Sequence, residues 1–319
     1  MAQHFLHSPA AKTLSITSVM RMTEVEARTG LAKIRWSATD GAPVCPVCGG
    51  LDHYDIKTRP VWKCKACKKQ FSITSGTIFA SRKMPVRDIL AGIAIFVNGA
   101  KGFSALQLSR DRRVDYKTAF VMLHKLREAI GLAQDAAQLD GVVEIDGMYV
   151  GGYVKPANRR EDRKDRRRIQ NGKRQVIVAM RERQGRTKIG IAATEAEGVA
   201  LAAANITPNA IVHADEASHW DKLSARFEIK RINHQKAYSQ DGASTNMAES
   251  FFSRLRRAEI GIHHHIAGRY VAAYATEMAW REDNRRVANG TQFSMVTEAA
   301  ALASVSAQWS GYWQRHKAI

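Results

Sequence analysis

GVVEIDGMYVGG, residues 141–152, decides how the second half of this chain is read. Val142, Val143, Ile145, Met148, Tyr149 and Val150, bounded by glycines, predict a strand. Asp146 stands in its middle. An ionised carboxyl emerging from a buried strand is costly unless it is paired or bound to a metal. Further strands are predicted over 174–183 (RQVIVAMRER), 187–196 (TKIGIAATEA) and 210–217 (AIVHADEA), with a helix over 197–206. Asp215 closes the last of these strands. Strands followed by helices, here over 245–258, 270–284 and 296–315, predict an α/β core in which helices pack on a mixed sheet.

TNMAESFF, residues 245–252, supplies a third acid, Glu249, the only one between Asp241 and Glu259. Wound as a helix, 245–258 puts Met247, Phe251, Leu255 and Ala258 on one side and Asn246, Glu249, Ser253 and Arg256 on the other. Thr245 reads as the N-cap, a role Asn246 could share, and a first-turn acid also gains from the helix dipole. Taken alone, Glu249 is therefore a cap. Beside two strand aspartates it reads better as a metal ligand, with Asn246 as its polar neighbour, a substitute ligand or an outer-shell group. Carboxylates from distant segments suit Mg²⁺, a hard cation, and pairs of such ions serve phosphoryl transfer on nucleic acids. Metals would also let acids and DNA phosphates share one site in a cationic chain. Glu144 falls on the same strand face as Asp146, as an auxiliary ligand or, preferably, as the structural partner of an arginine.

The 319 residues carry 49 Lys+Arg against 30 Asp+Glu, a net charge of +19, which favours a polyanionic partner, nucleic acid above all. Apolar residues make up 45%, enough for a packed core. The longest apolar run, ILAGIAIFV at 89–97, is too short to span a bilayer, and the N-terminus lacks the features of a signal peptide. A cytoplasmic protein with no membrane partner is expected. Residues 155–174, KPANRREDRKDRRRIQNGKR, hold ten basic and three acidic residues and read as a solvated loop suited to the DNA backbone.

Cys45-Pro-Val-Cys48 and Cys64-Lys-Ala-Cys67 form C-x2-C-x15-C-x2-C, the spacing of a closed tetrahedral site for one structural Zn²⁺. Lys63, Lys65, Lys68 and Lys69 make that module basic, and FSITSGTIF after it looks β-like. Residues 14–35 read as one helix. Three more helices are expected between 86 and 133, the second capped by Ser104 and the third starting at Asp115. The short turn between the last two matches a helix-turn-helix, with Arg112, Arg113, Tyr116, Lys117 and Thr118 placed to touch DNA. His263, His264 and His265 cannot all face one ion from a regular element, so DNA contact or packing is preferred for them.

The order Asp146, Asp215 sixty-nine residues on, and Glu249 thirty-four further resembles the DDE transposases of bacterial insertion sequences. VEIDGMYVGG, IVHADEAS, TNMAESFFSRLRR and GIHHHIAGRYVAAYATEMAWREDNRR, with CPVC and CKAC before them, resemble the subgroup carrying an N-terminal zinc ribbon. The resemblance implies a ribonuclease H-like catalytic core and Mg²⁺- or Mn²⁺-dependent strand cleavage and transfer at terminal inverted repeats. It implies Asp146, Asp215 and Glu249 as the metal-binding triad, with Arg256 near the DNA backbone. Gly147 and Glu216 depart from the residues the family often shows after its first and second aspartates. The expected order is an N-terminal helical segment (1–40), zinc ribbon (41–80), helix-turn-helix domain (81–135), catalytic domain (140–290) and C-terminal helical tail (291–319). A homo-oligomer on DNA is expected. An inactive DNA-binding regulator or a nuclease without strand transfer are the alternatives. The first predicts no nicking of a DNA end, the second cleavage without a joined product.

Overall fold

The computed structural model describes residues 5–151, 157–163, 174–183, 185–232 and 244–315. In chain order, α1 (Ile16–Arg21) and α2 (Glu24–Arg35) precede a small sheet of β1 (His53–Asp55), β2 (Trp62–Cys64) and β3 (Gln70–Phe71). There follow α3 (Val86–Asn98), α4 (Ala105–Arg112) and α5 (Tyr116–Leu132). The second half holds β4 (Val142–Gly151), β5 (Arg174–Glu182), β6 (Thr187–Ala192), α6 (Gly198–Asn205), β7 (Ile211–Asp215) and β8 (Glu228–Ile232). It continues with α7 (Asn246–Ala258), α8 (Val271–Asp283), α9 (Asn289–Leu302) and α10 (Tyr312–Arg315). Two compact units form: Met1–Gln134 with Asn284–Ile319, and Asp135–Asp283.

In the first unit the single helix expected over 14–35 is two. Met22 turns extended, and Thr23 and Glu26 close a reciprocal capping box that starts α2 afresh. α3 is apolar almost all round, from Val86 to Val97, and is correspondingly buried, with α1, α2 and α9 packed on it. Ser104 caps α4 by accepting the Gln107 N–H at 3.1 Å, and Asp115 caps α5 through the Lys117 N–H at 2.8 Å. FSITSGTIF keeps only Phe71 in a strand. Beyond it the chain coils through turns held by Ser75 Oγ on the Ser72 N–H and Thr77 Oγ1 on the Thr74 carbonyl, with Gly76 at φ 78°. Arg35 donates to the Ile73 and Ser75 carbonyls, so those turns have partners that a strand would forgo. The helix expected over 296–315 instead begins at Asn289 and ends at Leu302, because Ala303 extends and gives its carbonyl to the Ile78 N–H at 2.8 Å. Trp309 and Tyr312 then pack their rings on Phe120 of α5.

The second unit is built on one five-stranded sheet, ordered β6-β5-β4-β7-β8. β6, β5 and β4 are antiparallel neighbours, while β7 and β8 run parallel to β4. This is the mixed sheet of a ribonuclease H-like core. β5 shows why the strands are continuously apolar. Val176, Val178 and Met180 join one core with Val143, Ile145, Val212, Ala214 and Trp220; Ile177 and Ala179 join another with Met148, Phe251, Phe252, Leu255 and Met278. A sheet covered on both faces needs apolar residues at every position. Phe251, Phe252 and Leu255 each contribute about 1.5–3 kcal/mol by burial, which docks α7 on the sheet. The sequence reading lacked β8, whose EIKRI is too charged to announce a strand but suits a sheet edge. The end of α8 is tied down by Arg181, which pairs with Glu282 at 3.0 Å, and by Asp283, which accepts the Thr187 N–H and hydroxyl at 2.9 and 2.7 Å.

Candidate functional site

β4 and β7 lie side by side at the centre of the sheet, with Val142 opposite Ile211, Val143 opposite Val212 and Glu144 opposite His213. Two residues further along each strand stands an aspartate, Asp146 on β4 and Asp215 at the last position of β7. Alternation puts both on the face that carries Glu144 and His213, the face covered by α7. The carboxyl ends of parallel strands are the usual mouth of an α/β site. Asp146 Oδ1 accepts the Gly147 N–H at 2.7 Å, and Asp215 Oδ1 the Ala217 N–H at 3.2 Å. Burial pushes the Asp146 carboxyl up to about 7, with Asp215, Glu249 and Glu195 adding like-charge repulsion. The three predicted acids therefore share one neighbourhood.

What delivers Glu249 is Glu144. Its side chain is fully buried and sits on the N-terminus of α7, where Oε2 accepts the Met247 and Ala248 N–H groups at 2.7 and 3.2 Å. Oε1 accepts the Ser244 hydroxyl at 3.2 Å and faces Arg183 Nε at 3.4 Å. A helix start leaves such N–H groups unpaired and favours negative charge, so an acid from the sheet both satisfies and clamps it. Thr245 holds the N-cap position but makes no side-chain capping bond; Glu144 does that work from β4. The arginine partnership expected for Glu144 is present. His213 completes the clamp: its Nδ1 takes the Ser244 N–H at 3.2 Å and lies 3.3 Å from Arg183. Burial, then Arg183, holds that imidazole below its usual range, so it stays neutral. Glu144→Ala should cost about 1–3 kcal/mol for each buried donor left without its acceptor, the Ala248 N–H and the Ser244 hydroxyl among them. Denaturant unfolding of the full chain checks this, and a cost below about 1 kcal/mol, the size of a surface pair, would show that the clamp is not structural.

On α7 the buried side is Ala248, Phe251, Phe252, Leu255 and Ala258, somewhat rotated from the expected stripe, and Asn246 is exposed beside the partly covered Glu249. Arg256 reaches back over β4, its Nε 3.2 Å from Met148 Sδ, and keeps an exposed face. His263 packs edge-on against Tyr274, ring centroids 4.5 Å apart. The sequence reading passed over Glu195 and His219, whose side chains close the edge of the acid group at 3.5 Å from one another. The one signal they offered was Gly147, a bare position in an otherwise bulky strand. Most of the basic stretch 155–174 lies outside the described residues.

The four cysteines converge. Cys45 Sγ is 3.6 Å from Cys67 Sγ and Cys48 Sγ is 3.5 Å from Cys64 Sγ. Zn–S bonds of about 2.3 Å set tetrahedral edges near 3.8 Å, so the donor set fits zinc. Each knuckle turns on a left-handed residue after its second cysteine, Gly49 at φ 72° and Lys68 at φ 61°. The Cys64 thiol is drawn down to about 7, chiefly by the Cys67 N–H, towards the thiolate a metal needs. Among the described residues, these form the only group of three or more potential ligands whose atoms all lie within 4.8 Å of one another. The carboxylates are a looser group.

α4 and α5 meet at a three-residue turn in which Arg113 is left-handed. Arg113, Tyr116, Lys117 and Thr118 are exposed, whereas Arg112 pairs with Asp88 of α3 at 2.6 Å and is largely covered. Among the described residues no helix is long and apolar enough to cross a membrane.

Comparison with known families bears on both units. The model described as the ISXO2-like transposase domain matches residues 138–283, nearly the whole second unit, and the transposase zinc-ribbon domain matches residues 22–70. No curated protein and no solved structure matches the chain. The chain belongs to the DDE-type insertion-sequence transposases that carry an N-terminal zinc ribbon.

Proposed function

We propose that the chain moves an insertion sequence by nicking DNA at the element's terminal inverted repeats and joining the freed 3′ ends to target DNA. The observation that supports this best is the placement of Asp146 and Asp215 on adjacent central strands, with Glu249 carried towards them by a helix clamped onto Glu144. In this reading Asp146, Asp215 and Glu249 hold Mg²⁺ or Mn²⁺, and Asn246 lies beside them as an outer-shell or capping group. The donor set fits: all are hard oxygens, and burial, with repulsion from the other acids, leaves an ionised Asp146 in need of a cation. Divalent ions held by these three acids would supply activation of water or a 3′-hydroxyl and neutralisation of the leaving oxygen.

The chain's own residues hold the DNA. Arg256 neutralises phosphate at the rim. Arg113, Tyr116, Lys117 and Thr118, at the exposed start of α5, approach the end sequence, and Arg112 keeps α4 against α3 to present them. No protein nucleophile is needed, since water and the DNA hydroxyl attack in line. Two copies would pair the two ends.

The test uses the full chain, Mg²⁺ and duplexes ending in the repeats that border the gene. Nicked 3′ ends and a strand-joined product are expected. Sequence-indifferent cutting with no joined product would leave a nuclease, and tight end binding without any nicking would leave a regulator.

A further inference from the structure

A fourth carboxylate stands at the edge of the acid group. Glu195 lies in the short turn Glu195–Glu197 that follows β6, and its side chain rests on the backbone of Gly147. A Cβ at Gly147 would lie 2.7 Å from Glu195 Cγ and 2.8 Å from Oε1, so only glycine leaves room for this carboxyl. Its other oxygen, Oε2, is 3.5 Å from Nε2 of His219. Gly147 directly follows Asp146 and His219 comes four residues after Asp215, so the pair is held by the middle of β4 and by the segment that leaves β7. Both side chains are about four-fifths covered, at 22% and 20% exposure. His219 is in turn backed by the ring of Trp220, centroids 4.5 Å apart, and Trp220 is buried in the core below. Asp146 and Asp215 both exchange repulsion with Glu195, and Arg174 offsets part of it. Burial holds the His219 imidazole below its usual range, so this contact is not an ion pair that would hold Glu195 beside two like charges.

We infer that Glu195, packed between Gly147 and His219, is a positioning residue that accepts hydrogen bonds from water on the divalent ion held by Asp146 and Asp215. The inference rests on the metal reading of those two acids. Outer-shell partners of this kind orient ligands and tune affinity, and their loss typically weakens metal binding by about 10–100-fold.

The experiment is a calorimetric titration of the full-length protein with Mn²⁺ in the absence of DNA. Glu195→Gln, which keeps size and shape, should weaken Mn²⁺ binding by about 10-fold or more. Gly147→Ala should do the same while leaving Glu195 in the chain, because the added methyl drives the carboxyl off its seat. Thermal midpoints of both variants should stay near wild type. Asp146→Asn serves as the reference and should abolish the Mn²⁺ heat. If it does so while Glu195→Gln and Gly147→Ala bind as wild type, Glu195 has no part in the site. If Asp146→Asn binds unchanged, the metal reading itself fails.

Discussion

Asp146→Asn should reduce Mg²⁺-dependent strand transfer by at least about 10³-fold, and Glu249→Gln should match it, with binding to end DNA largely kept. Loss of a metal-holding carboxylate forfeits several kcal/mol of transition-state stabilisation, and each 1.36 kcal/mol is a factor of ten. End binding survives because it is assigned to the start of α5, in the other unit. The variant also separates chemistry from folding. Asp146 is crowded by burial, Asp215, Glu249 and Glu195, so its folded carboxyl titrates near 7, against about 4 in an unfolded chain. A carboxyl raised on folding binds its proton more tightly in the native state. Its ionisation therefore subtracts stability as pH climbs from about 4 towards about 7. In chelator, Asp146→Asn should then be no less stable than wild type at neutral pH, and the gap in its favour should shrink as the pH is lowered. Substantial strand transfer by the variant would remove Asp146 from the triad.

Removing zinc should have the larger structural effect. With Cys64→Ser, or with a strong chelator, zinc measured per chain should fall from one to near none, and the region of β1 to β3 should lose its amide protection. Those three strands have three, three and two residues, far too few to stand without the ion. Structural zinc in such modules is worth about 10–16 kcal/mol of apparent binding energy, which is folding energy here. What remains is a small aromatic group, Trp36 edge-on to Trp62 at 5.6 Å with Phe71 and His53 beside them. Near-ultraviolet circular dichroism reports on those rings and should lose intensity together with the metal. The helices around α3 have their own buried stripe and should keep their exchange protection. A metal-free chain with unchanged spectrum and protection would mean that the cysteines are not what holds the ribbon.

How much was legible beforehand differs with the range of the interaction. The cysteine pairs were readable because each closes a loop within four residues and the chemistry of four thiolates has few other outlets. Ser104 and Asp115 were readable as caps for the same local reason. The three candidate acids stood out by their context, two in apolar strands and one in an otherwise basic helix. β8 was not, because an edge strand half in water has no apolar alternation to display. The return of α9 to the first unit was equally hidden, since Asn289 reaches Thr13 and Leu14 across 276 and 275 positions.

The division in the candidate site follows the same physics. Sequence alone singled out the candidate side chains: four cysteines for zinc, and, in the proposed function, Asp146, Asp215 and Glu249 for a divalent ion and the basic start of α5 for DNA. Only the tertiary structure decided what orients them. Glu144 caps a helix whose first turn lies 103 residues away, and Glu195 sits in the space that Gly147 leaves empty. Local propensity records a residue's own backbone and near neighbours. A cap or a seat supplied from another strand exists only once the sheet has brought the two together.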